Sequence, residues 1–196
     1  MKFYLFGIEI SLSFWFFTAL LTFVILGRAP LALYFILPVV IHECGHLIAM
    51  ALCNVKTKAV RFRSFGIDVI RNPAPVSYAK DIIICLGGVS ANLLTALCFY
   101  FFAFQSLRVI FFIAVNIAIA IFNAMPVANL DGGQVLRLLL ERFGNPAKAY
   151  AVSRLFSFLL LIPLFGASIF LILRGFANLS LLAACLYLAG VVIFGE

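Results

Sequence analysis

The chain has 196 residues, of which 66% are hydrophobic and only 11% are charged, and its mean hydropathy is +1.22. Soluble domains are about half apolar and a quarter charged, so this composition excludes an ordinary soluble globular protein. The net charge of +7 raises nucleic-acid or anionic-lipid binding as an alternative, which depends on where the charges lie.

Apolar stretches long enough to cross a membrane recur along the chain. A membrane-spanning helix needs about 20 predominantly apolar residues. The sequence predicts six such spans, at about residues 11–27, 31–53, 81–104, 108–127, 149–173 and 176–194. Because no linker or low-complexity tract divides them, the prediction is an all-α polytopic membrane protein with a single domain over residues 1–196.

The second span contains the motif His42-Glu43-Cys44-Gly45-His46. Residues four apart share a helix face, so both imidazoles can bind one metal ion while Glu43 takes a proton from bound water. Ionisable groups are costly at membrane depth, which favours a functional site over the alternative of a polar cluster that only holds helices together. Cys44 is a weaker candidate ligand, because it points to a different helix face from His42.

The longest polar stretch, residues 54–80, lies between the second and third spans. Apolar residues alternate with polar or small ones over 60–63 and 65–69, which predicts a β-hairpin-like pair of short strands on the membrane surface. An exposed edge there can hold an extended substrate by added-strand pairing. The alternative is a surface hairpin that only covers the site.

A break in the chain follows the fourth span. Pro126 cannot continue helical hydrogen bonding, and Gly132 and Gly133 allow backbone conformations closed to other residues. With only two His in the chain, a third metal ligand must be a carboxylate or a Cys. Among the acidic residues, only Asp131 follows an apolar span within such a segment. The alternative is a surface turn in which Asp131 caps an amphipathic helix over about 134–143.

The basic residues are unevenly distributed between the two sides of the predicted membrane topology. Of the 14 Lys and Arg, only Arg28, Arg108 and Arg174 lie on one side. The positive-inside rule then places both termini in the cytoplasm, with the motif residues toward the cytoplasmic side. This asymmetry argues against nucleic-acid binding. A short, minimal chain suits an integral protein of a bacterial plasma membrane.

The sequence resembles the site-2 protease family of intramembrane zinc metalloproteases. The residues that carry the resemblance are His42-Glu43-x-x-His46 and Asn123-x-x-Pro126-x-x-x-x-Asp131-Gly132-Gly133. A weaker match is Leu86-Gly87-Gly88-Val89-Ser90-Ala91-Asn92, which close packing of small residues explains equally well. The chain is similar to the compact branch that includes the sporulation sigma-factor-processing protease. It departs from the usual family pattern at Asn129 and Gln134, where members often carry Pro and Arg.

The resemblance implies one zinc ion bound by His42, His46 and Asp131, with Glu43 as the general base. Asn123, Asn129 and Asn92 are candidates for contacting the substrate or the oxyanion. The implied substrate is a membrane-spanning protein or peptide, cut in regulated intramembrane proteolysis. Two other classes stay open: a catalytically silent relative that binds a membrane partner, which is expected to have lost Glu43 or a ligand, and a metal transporter, which is expected to carry polar residues along several spans.

Overall fold

A computed structural model describes residues 2–5, 8–12, 29–63, 66–71, 76–102, 106–128, 130–175 and 179–194. The chain divides into two units, Met1–Phe122 and Asn123–Glu196. The first unit contains a β-sheet and three long helices, and the second contains three further helices in the described residues.

The long helices of the first unit are α1 (Ala29–Leu52), α2 (Tyr78–Phe102) and α3 (Leu107–Ala124), the last of which ends just past the unit boundary. Each forms from a nearly continuous apolar stretch, as expected for segments whose backbone must satisfy its own hydrogen bonds in lipid. Helix α1 ends where Asn54 adopts a left-handed conformation, with φ of 56°. The Val55 amide there donates to the Met50 carbonyl, which closes the helix in a C-terminal cap.

Two β-hairpins form one sheet in the first unit. The described strands are β1 (Lys2–Leu5), β2 (Ile8–Leu12), β3 (Thr57–Arg63) and β4 (Gly66–Arg71), in the spatial order β1-β2-β3-β4. Strands β3 and β4 are antiparallel, whereas β2 and β3 are parallel. Strand β4 is therefore at one edge of the described sheet, and it packs against α1.

Helices α1 and α2 approach each other closely at a pair of glycines. A Cβ atom at Gly87 would lie 2.7 Å from the Gly45 carbonyl oxygen and 2.8 Å from the Ala49 side chain. Only small residues permit such a backbone contact between membrane helices. Aromatic rings complete the packing with α3: Tyr34 of α1 and Phe99 of α2 both contact Phe112.

The second unit begins with a break in the chain and continues in three helices, α4 (Asp131–Phe143), α5 (Pro146–Leu173) and α6 (Leu179–Phe194). Helix α5 packs against both α4 and α6. The Asn145 side chain caps α5 by accepting a hydrogen bond from the Ala147 amide at 2.9 Å, and Pro146 occupies the first turn, where its missing N–H is harmless.

Four helices of the described residues are long and apolar enough to cross a membrane: Leu33–Leu52 within α1, Tyr78–Phe102, Leu107–Ala124 and Pro146–Leu173. Many of their large apolar side chains are exposed, including Phe102 at 88% and Leu173 at 80%. Such exposure is unfavourable in water and is expected of surfaces that face lipid.

The predicted fold class, an all-α polytopic membrane protein with a surface hairpin, is confirmed. Four predicted spans, 31–53, 81–104, 108–127 and 149–173, coincide with α1, α2, α3 and α5. The first, 11–27, lies outside the described residues except for its first two, which end β2. The sixth, 176–194, contains α6, which at 16 residues is shorter than a usual span.

Candidate functional site

The His-Glu-x-x-His motif lies in the second half of α1. His42 is buried, with 4% of its surface exposed, while Glu43 and His46 are half-buried and Cys44 is exposed. The exposure of Cys44 agrees with the sequence argument that it points away from the face that carries His42.

The Nδ1 atoms of both imidazoles face hydrogen-bond acceptors. His46 Nδ1 lies 2.7 Å from the Ile84 carbonyl oxygen, and His42 Nδ1 lies 2.7 Å from Asn92 Oδ1. A carbonyl oxygen can only accept, so each neutral ring carries its proton on Nδ1 and has a lone pair on Nε2. Partners of this kind are the usual means of orienting metal-binding histidines.

The two Nε2 atoms lie 3.2 Å apart. With both protons on Nδ1, neither neutral ring can donate a hydrogen bond to the other across this distance. Two nitrogen ligands on one tetrahedral zinc ion, each about 2.0–2.1 Å from the metal, stand roughly 3.3 Å apart. The two Nε2 lone pairs are therefore suitably spaced to bind one shared metal ion.

Gly88 of α2 leaves the space that this arrangement needs. A Cβ atom at this position would lie 2.5 Å from His46 Nε2 and 2.6 Å from His42 Nε2. The adjacent Gly87 makes the backbone contact with Gly45. Close packing therefore explains Gly87, whereas Gly88 leaves room for the two imidazoles.

Asn92, the third residue of interest on α2, is completely buried. Its Nδ2 atom donates to the Pro38 carbonyl oxygen and to Asn116 Oδ1, both at 2.9 Å, while its Oδ1 faces His42. Both N–H groups of this amide are thus used inside the protein, which leaves none for a substrate or an oxyanion. Asn92 instead orients the His42 ring through its Oδ1.

Asp131 belongs to the second unit, where it is the first residue of α4 and is 9% exposed. Leu130 occupies the N-cap position, in extended conformation and without a side-chain cap hydrogen bond. Asp131 is therefore not the N-cap residue that the alternative interpretation required. Helix α4 also begins earlier than the predicted 134, directly at the carboxylate.

The segment before Asp131 is fixed by backbone contacts. Val127 is completely buried, and its carbonyl accepts from the Leu130 amide at 3.0 Å. A Cβ atom at Gly132 would collide with Ala124, and one at Gly133 would collide with Val127. The glycines thus allow the start of α4 to fold directly against the chain that precedes it.

A hydroxyl of α5 also holds this segment. Ser157 is completely buried; its Oγ accepts from the Ala128 amide at 2.7 Å and donates to the Ser153 carbonyl at 2.9 Å. A buried amide left without an acceptor would be costly, so Ser157 stabilises the break three residues before Asp131.

Asn123 and Asn129 are the remaining predicted site residues. Asn123 lies near the end of α3 and is half-buried. Asn129 lies outside the described residues. Asn116 and Ser157 were not predicted from the sequence, although an Asn within an apolar span is a polar residue at membrane depth, and such residues are candidate functional sites.

Comparison with known proteins gives a family match and a match to a solved structure. The model of Peptidase family M50 matches residues 107–164, a range that includes α3, the break, Asp131 and most of α5. The chain also resembles the solved site-2 protease from Methanocaldococcus jannaschii, with a TM-score of 0.69 and 20% sequence identity, over 98% of this chain and 93% of that one. No curated protein matches.

The chain has the fold of the solved site-2 protease and matches Peptidase family M50 over part of its length. The resemblance to the site-2 protease family found in the sequence is thereby confirmed. The family match covers the Asp131 segment but begins well after the His motif, so it supports the Asp131 segment alone. Placement within the sporulation branch stays a prediction.

Proposed function

We propose that the protein is an intramembrane zinc metalloendopeptidase that cuts peptide bonds in or beside transmembrane segments, with one zinc ion held by His42, His46 and Asp131. The observation that carries the proposal is the pair of Nε2 atoms 3.2 Å apart, each opposite an Nδ1 fixed by an acceptor. Two imidazoles and one carboxylate form a common catalytic zinc set with a position left for water.

Asp131 is proposed as the third ligand because the chain contains no histidine beyond the two in the motif. The exposed Cys44 is poorly suited, since it lies away from the face that carries His42. A carboxylate at the start of α4, held there by a tightly packed break, is well suited to a fixed ligand position.

Glu43 is the proposed general base. Zinc, when bound, makes water acidic and polarises the scissile carbonyl. The Glu43 carboxylate takes one proton from the attacking water as the oxygen bonds to the carbonyl carbon, and it returns that proton to the leaving amine as the peptide C–N bond breaks. The products are a carboxylic acid and an amine, and Glu43 regains its starting charge.

Strand β4 is the proposed docking edge for an unwound substrate. A helical segment hides its peptide bonds within its own hydrogen-bond ladder, so it must become extended before attack. Strand β4 is at an edge of the described sheet and packs against α1, the helix of the His motif. Added-strand pairing there would present the substrate backbone. Asn123 and Asn129 are proposed to contact that backbone, and Asn92 to hold His42.

The proposed setting is a bacterial plasma membrane, with both termini in the cytoplasm and the site toward that side. The charge asymmetry between the predicted loops supports this orientation. A site there suits the release of a cytoplasmic fragment from a membrane-tethered regulator, as regulated intramembrane proteolysis requires, and suits a leftover signal peptide equally well.

The test combines zinc content with cleavage of a panel of tagged single-span substrates in the same membranes. Glu43→Gln is expected to keep about one zinc per chain and to lose at least about 100-fold in cleavage, because it removes the base but no ligand. Asp131→Asn is expected to lose both cleavage and bound zinc. The control is Glu141→Gln, which removes a carboxylate that only pairs with Arg137 on α4.

The outcomes separate the parts of the proposal. Absence of zinc from wild-type protein, or cleavage by Glu43→Gln at the wild-type rate, contradicts the mechanism. Full zinc content in Asp131→Asn removes only the third ligand from the proposal. Zinc without cleavage in every protein indicates that the panel lacks the substrate or a required partner, because a catalytically silent relative is expected to have lost Glu43 or a ligand.

A further inference from the structure

Three buried side chains of the first unit form one continuous hydrogen-bonded chain. Asn116 on α3 donates from Nδ2 to the Phe112 carbonyl at 2.9 Å and accepts at Oδ1 from Asn92. Asn92 in turn accepts at Oδ1 from His42 Nδ1. Asn92 and Asn116 are both 0% exposed, so no solvent competes for these atoms.

The direction of this chain is fixed at its far end. The Phe112 carbonyl can only accept a hydrogen bond, so Asn116 must turn its Nδ2 toward it and its Oδ1 toward Asn92. Asn92 must then turn its Nδ2 toward Asn116, which leaves its Oδ1 for His42. An amide flip at either Asn would place two acceptors or two donors against each other in a dry site.

The consequence reaches the imidazole. With Asn92 Oδ1 at 2.7 Å, His42 carries its proton on Nδ1 and its lone pair on Nε2. The reversed amide would favour the opposite tautomer, whose Nε2–H cannot bind a metal ion. The Pro38 carbonyl fixes the Asn92 amide from a second side, at 2.9 Å.

We infer that Asn116 is a positioning residue of the metal site: together with the Pro38 carbonyl it sets the orientation of the Asn92 amide and, through that amide, the tautomer and ring orientation of His42. The inference rests on the proposed role of His42 as a ligand. A simpler role for Asn116 would be to join α3 to α2 by a hydrogen bond, as polar residues in membrane helices often do. The two roles predict different coupling between positions 116 and 92.

A double-mutant cycle on zinc affinity separates them. Asn116→Leu keeps the approximate shape and removes the acceptor, and it is expected to weaken zinc binding about 3- to 10-fold, less than the 10- to 100-fold typical of a direct partner of a ligand. Asn92→Asp replaces the amide with a carboxylate, which has no orientation to set. In that background, Asn116→Leu is expected to leave zinc affinity unchanged or to improve it.

Competition with a chelator measures the four affinities. Equal weakening by Asn116→Leu in both backgrounds, or none in the wild-type background, overturns the inference and leaves a purely structural hydrogen bond. Asn116→Thr is the conservative variant: its hydroxyl can donate to the Phe112 carbonyl and still accept from Asn92, so it is expected to stay within about twofold of wild type. Ser168→Ala is the control for removing a buried polar group, since that hydroxyl only donates to Phe165 in α5.

A second readout needs no metal. The chain has only two histidines, so uniform ¹⁵N-histidine labelling gives one ring signal set for His42 and one for His46. In metal-free wild-type protein at alkaline pH, both rings are expected to be protonated on Nδ1. Asn116→Leu is expected to add the Nε2–H tautomer at His42 only, because His46 is held by the Ile84 carbonyl.

An unchanged His42 signal in Asn116→Leu overturns the inference whatever the zinc data show. If wild-type protein binds no zinc, the proposed function fails, and the metal-free signals still decide the role of Asn116. If wild-type protein binds zinc but Asn116→Leu and Asn92→Asp have additive effects on zinc affinity, the proposed function stands and Asn116 has no positioning role.

Discussion

His42 and Asp131, one in each unit, are held by different means. His42 is fixed by a side-chain amide whose own orientation is set by further hydrogen bonds, whereas the chain around Asp131 is fixed by backbone contacts, by glycines and by the Ser157 hydroxyl. An imidazole has two unlike nitrogens, so a ligand histidine needs the correct tautomer as well as the correct place. A carboxylate has two equivalent oxygens and needs only the place.

The largest expected effect is on zinc affinity, from a substitution beside His42 and His46. Gly88→Ala would put a methyl group 2.5–2.6 Å from both Nε2 atoms, so the rings must move. We expect zinc affinity to fall about 100-fold with little loss of overall folding. The matched control is Gly166→Ala, where nothing lies within 4 Å of the added atom. Zinc binding by Gly88→Ala at wild-type strength would show that the rings are not confined by α2.

The next effect tests the backbone side. Gly133→Ala would press a methyl group into the Val127 backbone, and such overpacking is expected to lower the free energy of unfolding by about 2 kcal/mol. Denaturation in mixed micelles measures it, with Gly190→Ala in α6 as the control in open space. Equal stability of the two variants would mean that the break is not tightly packed.

A smaller effect is expected from the hydroxyl that holds the same segment. Ser157→Ala leaves the part-buried Ala128 amide without its acceptor and should cost about 1 kcal/mol of unfolding free energy. Zinc affinity should fall with it if the backbone positions Asp131. Ser168→Ala, which removes a hydroxyl bonded only within its own helix, should cost far less. Matching losses in the two Ser variants would contradict this account.

The smallest effect concerns a hydrogen bond that involves none of the proposed zinc ligands. Lys80 donates to the Cys53 carbonyl at 3.0 Å and so joins the end of α1 to the start of α2. Because Lys80 is exposed, Lys80→Met should lower the free energy of unfolding by about 0.5 kcal/mol and leave zinc affinity unchanged. A large loss of zinc affinity would show that His42 and His46 depend on this end of the helix pair.

Local patterns in the sequence predicted the parts of the molecule that depend on neighbours along the chain. Long apolar stretches predicted α1, α2, α3 and α5, and alternation over 60–69 predicted the β3–β4 hairpin. The N-terminal hairpin was not predicted, because Ile8–Leu12 stands directly before an apolar stretch. The spacing of His42, Glu43 and His46 predicted their shared position on one helix.

The hydrogen-bond partners of these residues could not be predicted in the same way. Asn92 and His42 are 50 positions apart, and Asn116 and Asn92 are 24 apart. No local pattern records which atoms such residues turn toward each other. The sequence therefore identified Asn92 as a polar residue near the site but suggested that it contacts a substrate. In the structure its Oδ1 instead faces Nδ1 of His42.

The backbone contact between Gly45 and Gly87 limits how this protein can open. Where two helices meet through side chains, changes of rotamer let them slide apart in small steps. Glycines offer no such freedom, so we expect α1 and α2 to stay together. Separation would also break the bonds from α2 to both histidines. We therefore expect elements other than this helix pair to admit the substrate of the proposed protease.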